Sequence, residues 1–279
     1  MTKTLQSVYS PCGAGSHRKA EKMGSLILIS KVVLPAIAVL LTTLVSPVIA
    51  HPPTALPTHA QLTRALAAAT VAGVNNGGIF TDGGRMWASV VDRHGQVVAV
   101  AKTPNDPWPG SRVISMQKAY TANAFSNSGL ALSTANLNTA VQPGGSLYGL
   151  QHSNPVNPGS AYRGPRQYGS ARDPAVGKTI GGVNVFGGGL PLYDPATGKV
   201  VGAIGVSGDS SCADHNIAWR MRHALGYTKV PGGVNKTAYG GAVSPAGGDD
   251  NIIYTGGGFG HPGCGFGEGK VTDLPSMTN

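Results

Sequence analysis

The chain has 279 residues and a formal net charge of +9 at pH 7, from 21 lysines and arginines against 12 aspartates and glutamates. Only 12% of its residues are charged and no basic cluster follows residue 50, which argues against nucleic-acid binding. It contains 42 glycines and 20 prolines, many of them after residue 143. We therefore expect long irregular segments around a smaller regular body.

The first 50 residues have the pattern of a secretory signal peptide. A basic stretch precedes an apolar segment, residues 32–45, and Val48-Ile49-Ala50 forms a small-residue cleavage site. The alternative is a membrane anchor, but Pro35 interrupts the apolar run, which falls short of the ~20 residues that span a bilayer. We therefore predict a periplasmic or secreted protein, with no stable membrane anchor after cleavage.

The chain that remains after cleavage is mildly basic. Removal of residues 1–50 would leave 16 lysines and arginines against 11 aspartates and glutamates, a formal charge of +5. A chain of this size can bury one good core. Its two cysteines are Cys212 and Cys264, and an oxidising compartment favours a disulfide between them. Two free thiols or a metal pair are the alternatives.

The spacing of apolar residues in the mature chain predicts the element order αββα(α)βββα. The predicted elements are a helix at 58–74, a hairpin of strands 86–91 and 96–102, helices at 111–125 and 133–139, strands at 180–186, 190–193 and 199–206, and a last helix from Ser211 to Gly226. Hairpins combined with terminal helices indicate an α+β form of the α/β class, with a mostly antiparallel sheet and no doubly wound parallel sheet.

Capping signals mark the starts of three of these helices. Thr58 and Gln61 have capping-box spacing, Ser111 can act as the N-cap of the second long helix, and Ser211 and Asp214 have capping spacing in the last helix.

The segment between the helices and the later strands, residues 141–177, shows little periodicity and is rich in Pro, Gly, Ser and Asn. Long loops in compact domains are usually functional or disordered. Residues 227–279 form a glycine-rich tail without a repeat. The predicted organisation is therefore a signal peptide at 1–50, a domain at 51–226 and a C-terminal extension at 227–279.

Four segments, read together, resemble the GlcG/HbpS-like haem-binding family, whose members are also labelled haem-degrading. They are the hairpin VVDRHGQVVA, the helix QKAYTA, the strand pair GGLPLYD and GKVVGAIGVSGD, and the helix opening ADHNIA. Together they cover roughly residues 60–226. The resemblance implies a five-stranded antiparallel sheet with helices on its faces, assembly into homo-oligomers, and binding of haem or iron.

A haem iron needs a nitrogen, sulfur or phenolate ligand beside an apolar slot. His152 is the preferred candidate, because Tyr148 and apolar neighbours precede it at the start of the long loop. On the second long helix, Lys118 could meet a propionate and Tyr120 could add a ring. The alternative is that Tyr148 only anchors the loop, His152 is solvated and Lys118 is a surface charge.

Three other positions carry weaker signals. The loop at Gly208 leads into a helix N-terminus that could receive an anion, although it lacks phosphate-loop spacing. Ser207 lacks the second glycine of a nucleophile elbow, which argues against a hydrolase triad. His261 and Cys264 could form half of a metal site, but without a second ligand pair at zinc-like spacing a disulfide at Cys264 is the better account.

The leading interpretation is an exported haem-binding or iron-binding accessory protein, for which the sequence identifies no catalytic residue set. One alternative is an enzyme or accessory subunit for a small hydroxy acid or aldehyde, with Asp106, Lys118 and the Gly208 loop around an anion. The other is a structural oligomer without a ligand that displays its long loop to a partner.

Overall fold

The computed structural model describes residues 55–82, 84–105, 107–234, 250–254 and 258–277. Residues 51–279 form one compact unit. The predicted signal peptide and Asp106 lie outside the described residues, so export stays a prediction. Among the helices of the described ranges, none has both the length and the apolar character needed to cross a bilayer.

The centre of the fold is an antiparallel sheet of four strands. In chain order these are β1 (Trp87–Asp92), β2 (Val97–Lys102), β3 (Gly189–Tyr193) and β4 (Val200–Ser207). The spatial order is β2-β1-β4-β3, and every neighbouring pair is antiparallel. The predicted β1–β2 hairpin is present, and Gly95 in its turn has a φ of 78° that favours glycine.

The five-stranded sheet that the family resemblance implied is wrong by one strand. The predicted strand at 180–186 forms only an isolated bridge, between Val156 and Gly181. Gly181 and Gly182 have φ values of 66° and 87°, a left-handed backbone that interrupts extended pairing. The apolar residues of this segment pack as loop residues instead, and the α+β class is otherwise confirmed.

Helices cover both faces of the sheet. These helices are α1 (His59–Ala69), α2 (Pro109–Phe125) and α5 (Ser211–Ala224). Two short helices, α3 (Leu137–Ala140) and α4 (Pro158–Ala161), lie between α2 and β3 in the chain. Successive strand residues point to opposite faces. Val90 and Ile204 therefore pack in the apolar cluster that contains α1 and α5, whereas Val91 and Ala203 pack in the cluster that contains α2.

The helix starts agree with the capping signals only in part. The predicted capping box of α1 is present, with Thr58 and Gln61 bonded reciprocally. The start of α2 is two residues earlier than predicted, because Pro109 occupies its first turn and no side chain caps it. The N-cap of α5 is Ser210, one residue before the predicted Ser211, and its hydroxyl accepts the amide of the third helical residue.

The end of α1 also differs from the prediction of a helix over 58–74. The helix stops at Ala69, where the hydroxyl of Thr70 donates to the carbonyl of Leu66 at 2.8 Å. Gly73 then has a φ of 90°, which turns the chain away from the helix axis. The last helix ends as predicted, with Gly226 at a φ of 83°.

Helix α2 lies unusually close to the sheet because glycine occupies the contact. A Cβ atom at Gly205 in β4 would lie 1.9 Å from the carbonyl oxygen of Ser115, and one at Gly189 in β3 would lie 2.5 Å from the carbonyl oxygen of Lys118. The hydroxyls of Ser89 in β1 and Ser115 are hydrogen-bonded at 2.7 Å. The helix backbone therefore rests directly on the sheet.

The long loop is fixed by a buried ion pair between α2 and the loop. The Nε of Arg112 donates to Asp173 at 2.9 Å, and its Nη1 donates to the carbonyl of Ala161 at 2.6 Å. The guanidinium carbon also lies 3.6 Å from the ring centroid of Tyr168. Both charged side chains are fully buried. The sequence alone predicted that this long loop is either functional or disordered. In the structure it packs against the domain.

The described parts of the tail also pack against the domain. Arg222 in α5 donates two hydrogen bonds to the buried carboxylate of Asp250, at 2.6 and 2.8 Å. The indole of Trp219 donates to the carbonyl of Pro275, and Met277 is buried in the same apolar cluster. The division of the chain at residues 50 and 226 stays a prediction.

The contact at Gly205 predicts a large effect of a single methyl group. Gly205→Ala should lower the free energy of unfolding by about 1–3 kcal/mol or more, because the new Cβ has no room beside the Ser115 carbonyl. Urea unfolding followed by circular dichroism measures this loss. Gly110→Ala, in α2 with nothing within 4 Å of the new Cβ, is the control and should be neutral or stabilising. Equal stability of the two variants would contradict the close packing.

Candidate functional site

The two predicted site residues of the long loop lie at the surface. Residues 150–152 form one turn of 3₁₀ helix after Gly149, which has a φ of 90°. The side chain of Tyr148 is 69% exposed, and His152 is exposed as well. Leu147 and Leu150 pack against a buried apolar cluster and hold the turn in place. Within the described residues the His152 imidazole has no hydrogen-bond partner, so its nitrogens are available to a ligand.

Lys118 lies in the interior, in contrast to the loop residues. Its Nζ donates to the carboxylate of Asp214 in α5 at 2.6 Å and to the carbonyl of Val206 in β4 at 3.0 Å. Both charged side chains are almost completely buried. The ammonium group therefore already has a counterion, and a haem propionate would have to displace Asp214. A role for Lys118 in cofactor binding stays a prediction.

Tyr120 lies on another side of α2. A Cβ at Gly95 would come within 2.6 Å of its ring, so the half-buried ring covers the β1–β2 turn. No hydrogen bond or ring contact found in the described ranges joins any two of Lys118, Tyr120, Tyr148 and His152. The structure brings together Tyr148 and His152 on one loop, and it places Lys118 and Tyr120 in separate surroundings.

The Lys118–Asp214 pair is the core of a polar cluster at the start of α5. The second oxygen of Asp214 accepts the amide of Asp209 at 2.9 Å. Burial raises the pKa of Asp214 to about 6, against the opposing attraction of Lys118. Burial also lowers the pKa of Lys118, and the charge of Asp214 opposes that shift. Burial thus favours the neutral forms of both groups, and the attraction between the two charges opposes it.

The N-terminus of α5, predicted as an anion site near Gly208, is occupied by side chains of the chain itself. The carboxylate of Asp209 accepts the amides of Ile79 and Phe80 at 2.6 and 3.1 Å. Ser210 accepts the amide of Ala213. The amides of Cys212 and Asp214 donate to the Sγ of Cys264 and the carbonyl of Ser210. Three of the first four amides of the helix therefore have acceptors within the described chain, as in a capped helix. This leaves the proposed anion contact of the Gly208 loop without support in the described geometry.

The sequence did not predict the hydrogen bond between Ser211 and His261. The serine hydroxyl lies 2.7 Å from the imidazole Nε2 and accepts the amide of Gly187 at 2.7 Å. The Nδ1 of His261 lies 2.6 Å from the carbonyl of Pro262. Since a carbonyl only accepts, Nδ1 carries the proton and Nε2 accepts from Ser211. Burial lowers the pKa of His261, which favours this neutral form.

The predicted disulfide lies beside this histidine. Cys212 in the first turn of α5 and Cys264 in the tail form a bridge with a sulfur–sulfur distance of 1.99 Å. Cys212 is fully buried and Cys264 is half-buried. The alternative of two free thiols, which the sequence allowed, is therefore not found. The bridge joins the tail to the start of α5.

His215, one turn further along α5, is a buried histidine that the sequence analysis passed over. Its Nε2 lies 3.0 Å from the side-chain oxygen of Asn251, and its Nδ1 has no partner in the described ranges. Burial lowers the pKa of His215 to about 4. The histidine therefore stays neutral at physiological pH. The sequence signal for its burial was its helical spacing, which places it on the core-facing side of α5 between Ser211 and Trp219.

The buried Lys118–Asp214 pair predicts strong coupling between the two residues. Lys118→Met should lower the free energy of unfolding by about 3–5 kcal/mol, because it leaves a buried carboxylate without a counterion. The double variant Lys118→Met with Asp214→Asn removes both charges and keeps an acceptor for the Asp209 amide. We expect it to regain much of the loss, measured by urea unfolding at pH 7. A double variant no more stable than Lys118→Met would contradict the pairing.

The low pKa of His215 predicts a specific acid sensitivity. The folded state binds fewer protons at this group than the unfolded state between pH 6.5 and 4, so its contribution to stability is lost as the pH falls through that window. The contribution approaches about 3 kcal/mol for a shift of this size. His215→Gln removes it, so the stability of wild type relative to this variant should fall on acidification. The raised pKa of Asp214 acts in the opposite direction but is common to both proteins. Parallel stability–pH curves for the two proteins would refute the assignment.

One family model matches most of the domain. The family model "Haem degrading protein HbpS-like" matches residues 58–222, more than half of the chain. A search of curated proteins finds no match.

Three solved structures are similar. Protein ORFY of Klebsiella pneumoniae, assigned to the family model DUF336, has 27% identity and a TM-score of 0.40 over 60% of this chain and 87% of its own. PduOC in complex with haem has 28% identity and a TM-score of 0.41 over 61% and 94%. HbpS has 20% identity and a TM-score of 0.40 over 60% and 86%. The family match spans the hairpin, α2, the sheet and most of α5, and on that ground the chain belongs to the HbpS-like family.

Proposed function

We propose that the protein is an exported haem-binding protein and that the iron ligand lies on its long loop. The observation that carries the proposal is the match of residues 58–222 to a family named for a haem-degrading protein. The disulfide is in keeping with an oxidising compartment. Assembly into a homo-oligomer, which the family resemblance implies, belongs to the same proposal.

The state of the described histidines favours His152 as the ligand. The rings of His59, His215 and His261 are hydrogen-bonded within the fold. His94, His152 and His223 are exposed, and no hydrogen bond to their rings is found in the described ranges. Among these exposed histidines, His152 follows an exposed tyrosine and an apolar turn, whereas the other two lie in a hairpin turn and at a helix end. An imidazole of this kind is a common axial ligand of haem iron.

The long loop also has the side chains that would accompany a haem. Tyr162 is 57% exposed and can cover part of a flat ring. Arg163 and Arg166 are exposed on the same loop and can pair with propionate carboxylates. Because the Arg112–Asp173 pair already orders the loop, less conformational entropy has to be lost on binding. The loop that carries His152 therefore also presents a ring and two cations to solvent.

Haem is favoured over free iron as the ligand of this loop. A hard iron ion prefers several carboxylate oxygens. Residues 144–178 contain a single acidic residue, Asp173, and its carboxylate is engaged by Arg112. A haem supplies four nitrogen ligands of its own and asks the protein for only one or two more. The alternative enzyme for a hydroxy acid or aldehyde loses support, because Asp214 neutralises Lys118.

A haemin titration followed by the Soret band tests the proposal. The wild-type protein should give a saturable, stoichiometric band, and His152→Ala should weaken binding at least about tenfold, as loss of a ligand does. His94→Ala and His223→Ala remove other exposed imidazoles and should bind like wild type. A wild-type titration without saturation would reject haem binding. Normal binding by His152→Ala would reject the ligand and leave the proposed cofactor in place.

A further inference from the structure

Three side chains with metal-binding atoms meet beside the N-terminus of α5. They are Cys212, His261 and Cys264, and one donor atom from each lies within 4.8 Å of the others. Cys212 and His261 are buried, and Cys264 is half-buried, which gives the cluster a side open to solvent. In the state described, the two sulfurs are bonded to each other and cannot act as thiolates.

The loop that carries Cys264 is held in place by contacts that do not depend on the disulfide. The carboxylate of Glu268 accepts the amides of Cys264, Gly265 and Phe266, at 2.5, 3.1 and 3.0 Å. Three acceptor contacts from one side chain fix the backbone on the C-terminal side of Cys264. The loop is therefore expected to keep its shape when the sulfur–sulfur bond is broken.

The histidine side of the loop is fixed in the same way. The amide of His261 donates to the carbonyl of Ile253 at 2.8 Å, and the amide of Gly260 donates to the carbonyl of Asn136 at 2.9 Å. Nε2 becomes the ligating atom once the Ser211 hydroxyl, which donates to it in the oxidised state, turns away. The imidazole stays oriented by the hydrogen bond that Nδ1 donates to the carbonyl of Pro262. A ligating histidine is commonly held by such a second hydrogen bond. Cys212 itself belongs to α5, so all three donors sit on ordered backbone.

The distances suit a tetrahedral ion once the bridge is open. Zinc binds thiolate sulfur at about 2.3 Å and imidazole nitrogen at about 2.0–2.1 Å, which places neighbouring ligand atoms roughly 3.5–3.8 Å apart. The two sulfurs must move apart once their bond is broken, a movement that side-chain rotation can provide. Two thiolates and one imidazole leave the fourth position to water.

We propose that reduction of the Cys212–Cys264 bridge converts this cluster into a two-cysteine, one-histidine site for a thiophilic divalent cation of the zinc class. A dithiol donates two electrons and two protons to the bridge, which becomes two thiols while the dithiol becomes a cyclic disulfide. The cation then displaces two protons and binds the two thiolates and the imidazole. The disulfide and the metal site exclude each other, so the same three residues have one ligand-free oxidised state and one metal-bound reduced state.

The test uses the full chain with Cys12→Ser, so that Cys212 and Cys264 are its only thiols. The protein is reduced with dithiothreitol, desalted without oxygen and titrated with Cd²⁺, whose thiolate complexes absorb in the ultraviolet, and then with competing Zn²⁺. We expect one equivalent to bind to the reduced protein and none to the oxidised protein. Thiol labelling should likewise require prior reduction.

The role of the imidazole is tested by His261→Ala, which should weaken Cd²⁺ binding at least about tenfold while the thiolate band persists. His94→Ala, an exposed histidine elsewhere, should bind like the parent. Equal affinity in His261→Ala would overturn the three-ligand site and leave a plain dithiol. Equal binding by the oxidised protein, or loss of far-ultraviolet dichroism on reduction without metal binding, would overturn the proposal as a whole. Its outcome is independent of the haemin titration, because none of these residues lies on the long loop.

Discussion

The ion pair between Lys118 and Asp214 is the interaction on which the arrangement of the layers depends. Lys118 belongs to the helix on one face of the sheet and Asp214 to a helix on the other face, and the ammonium group meets the carboxylate beside the carbonyl of Val206. A buried charge without a partner is costly, so neither helix can shift without the other. The close contact between α2 and Gly205 in the sheet also restricts movement of α2.

The same constraint explains why the irregular segments are ordered. Arg112 and Arg222 are buried on α2 and α5, and their partners Asp173 and Asp250 lie in the long loop and the tail. Each buried guanidinium is paired with a carboxylate. This pairing holds the segment that carries the carboxylate against the domain. A glycine-rich and proline-rich sequence thus gains a defined course from a few charged contacts, with the disulfide as a covalent addition.

Local signals in the sequence predicted the parts of the fold that depend on neighbouring residues. The capping box at Thr58, the hairpin turn at Gly95 and the helix end at Gly226 are all present. The prediction of a strand at 180–186 was wrong. The apolar residues of this segment resemble those of a buried strand, but two glycines with positive φ prevent strand pairing. Apolar runs of this length do not distinguish a strand from a packed loop.

The candidate sites were less accessible to sequence reasoning, since they depend on residues far apart in the chain. The cysteine pair was predictable because the chain after residue 50 has two cysteines, which can pair in only one way. The partners of Lys118 and Arg112 lie 96 and 61 residues away, and no local pattern marks Asp214 or Asp173 as their counterions. His261 likewise became part of a cluster only through the fold of the tail.

The ion pair of Arg112 has a further consequence, for the rate at which ligands reach the long loop. Asp173 is the loop's single acidic residue between positions 144 and 178, and its charge is neutralised in the interior. The exposed charges that remain on the loop are those of Arg163, Arg166, Arg172 and Lys178, all positive. Such a surface attracts anions over a distance of about 10 Å at moderate ionic strength, so salt slows the encounter even where it leaves the bound contacts intact. The burial of the Asp173 carboxylate thereby leaves the exposed surface of the loop with charges of one sign.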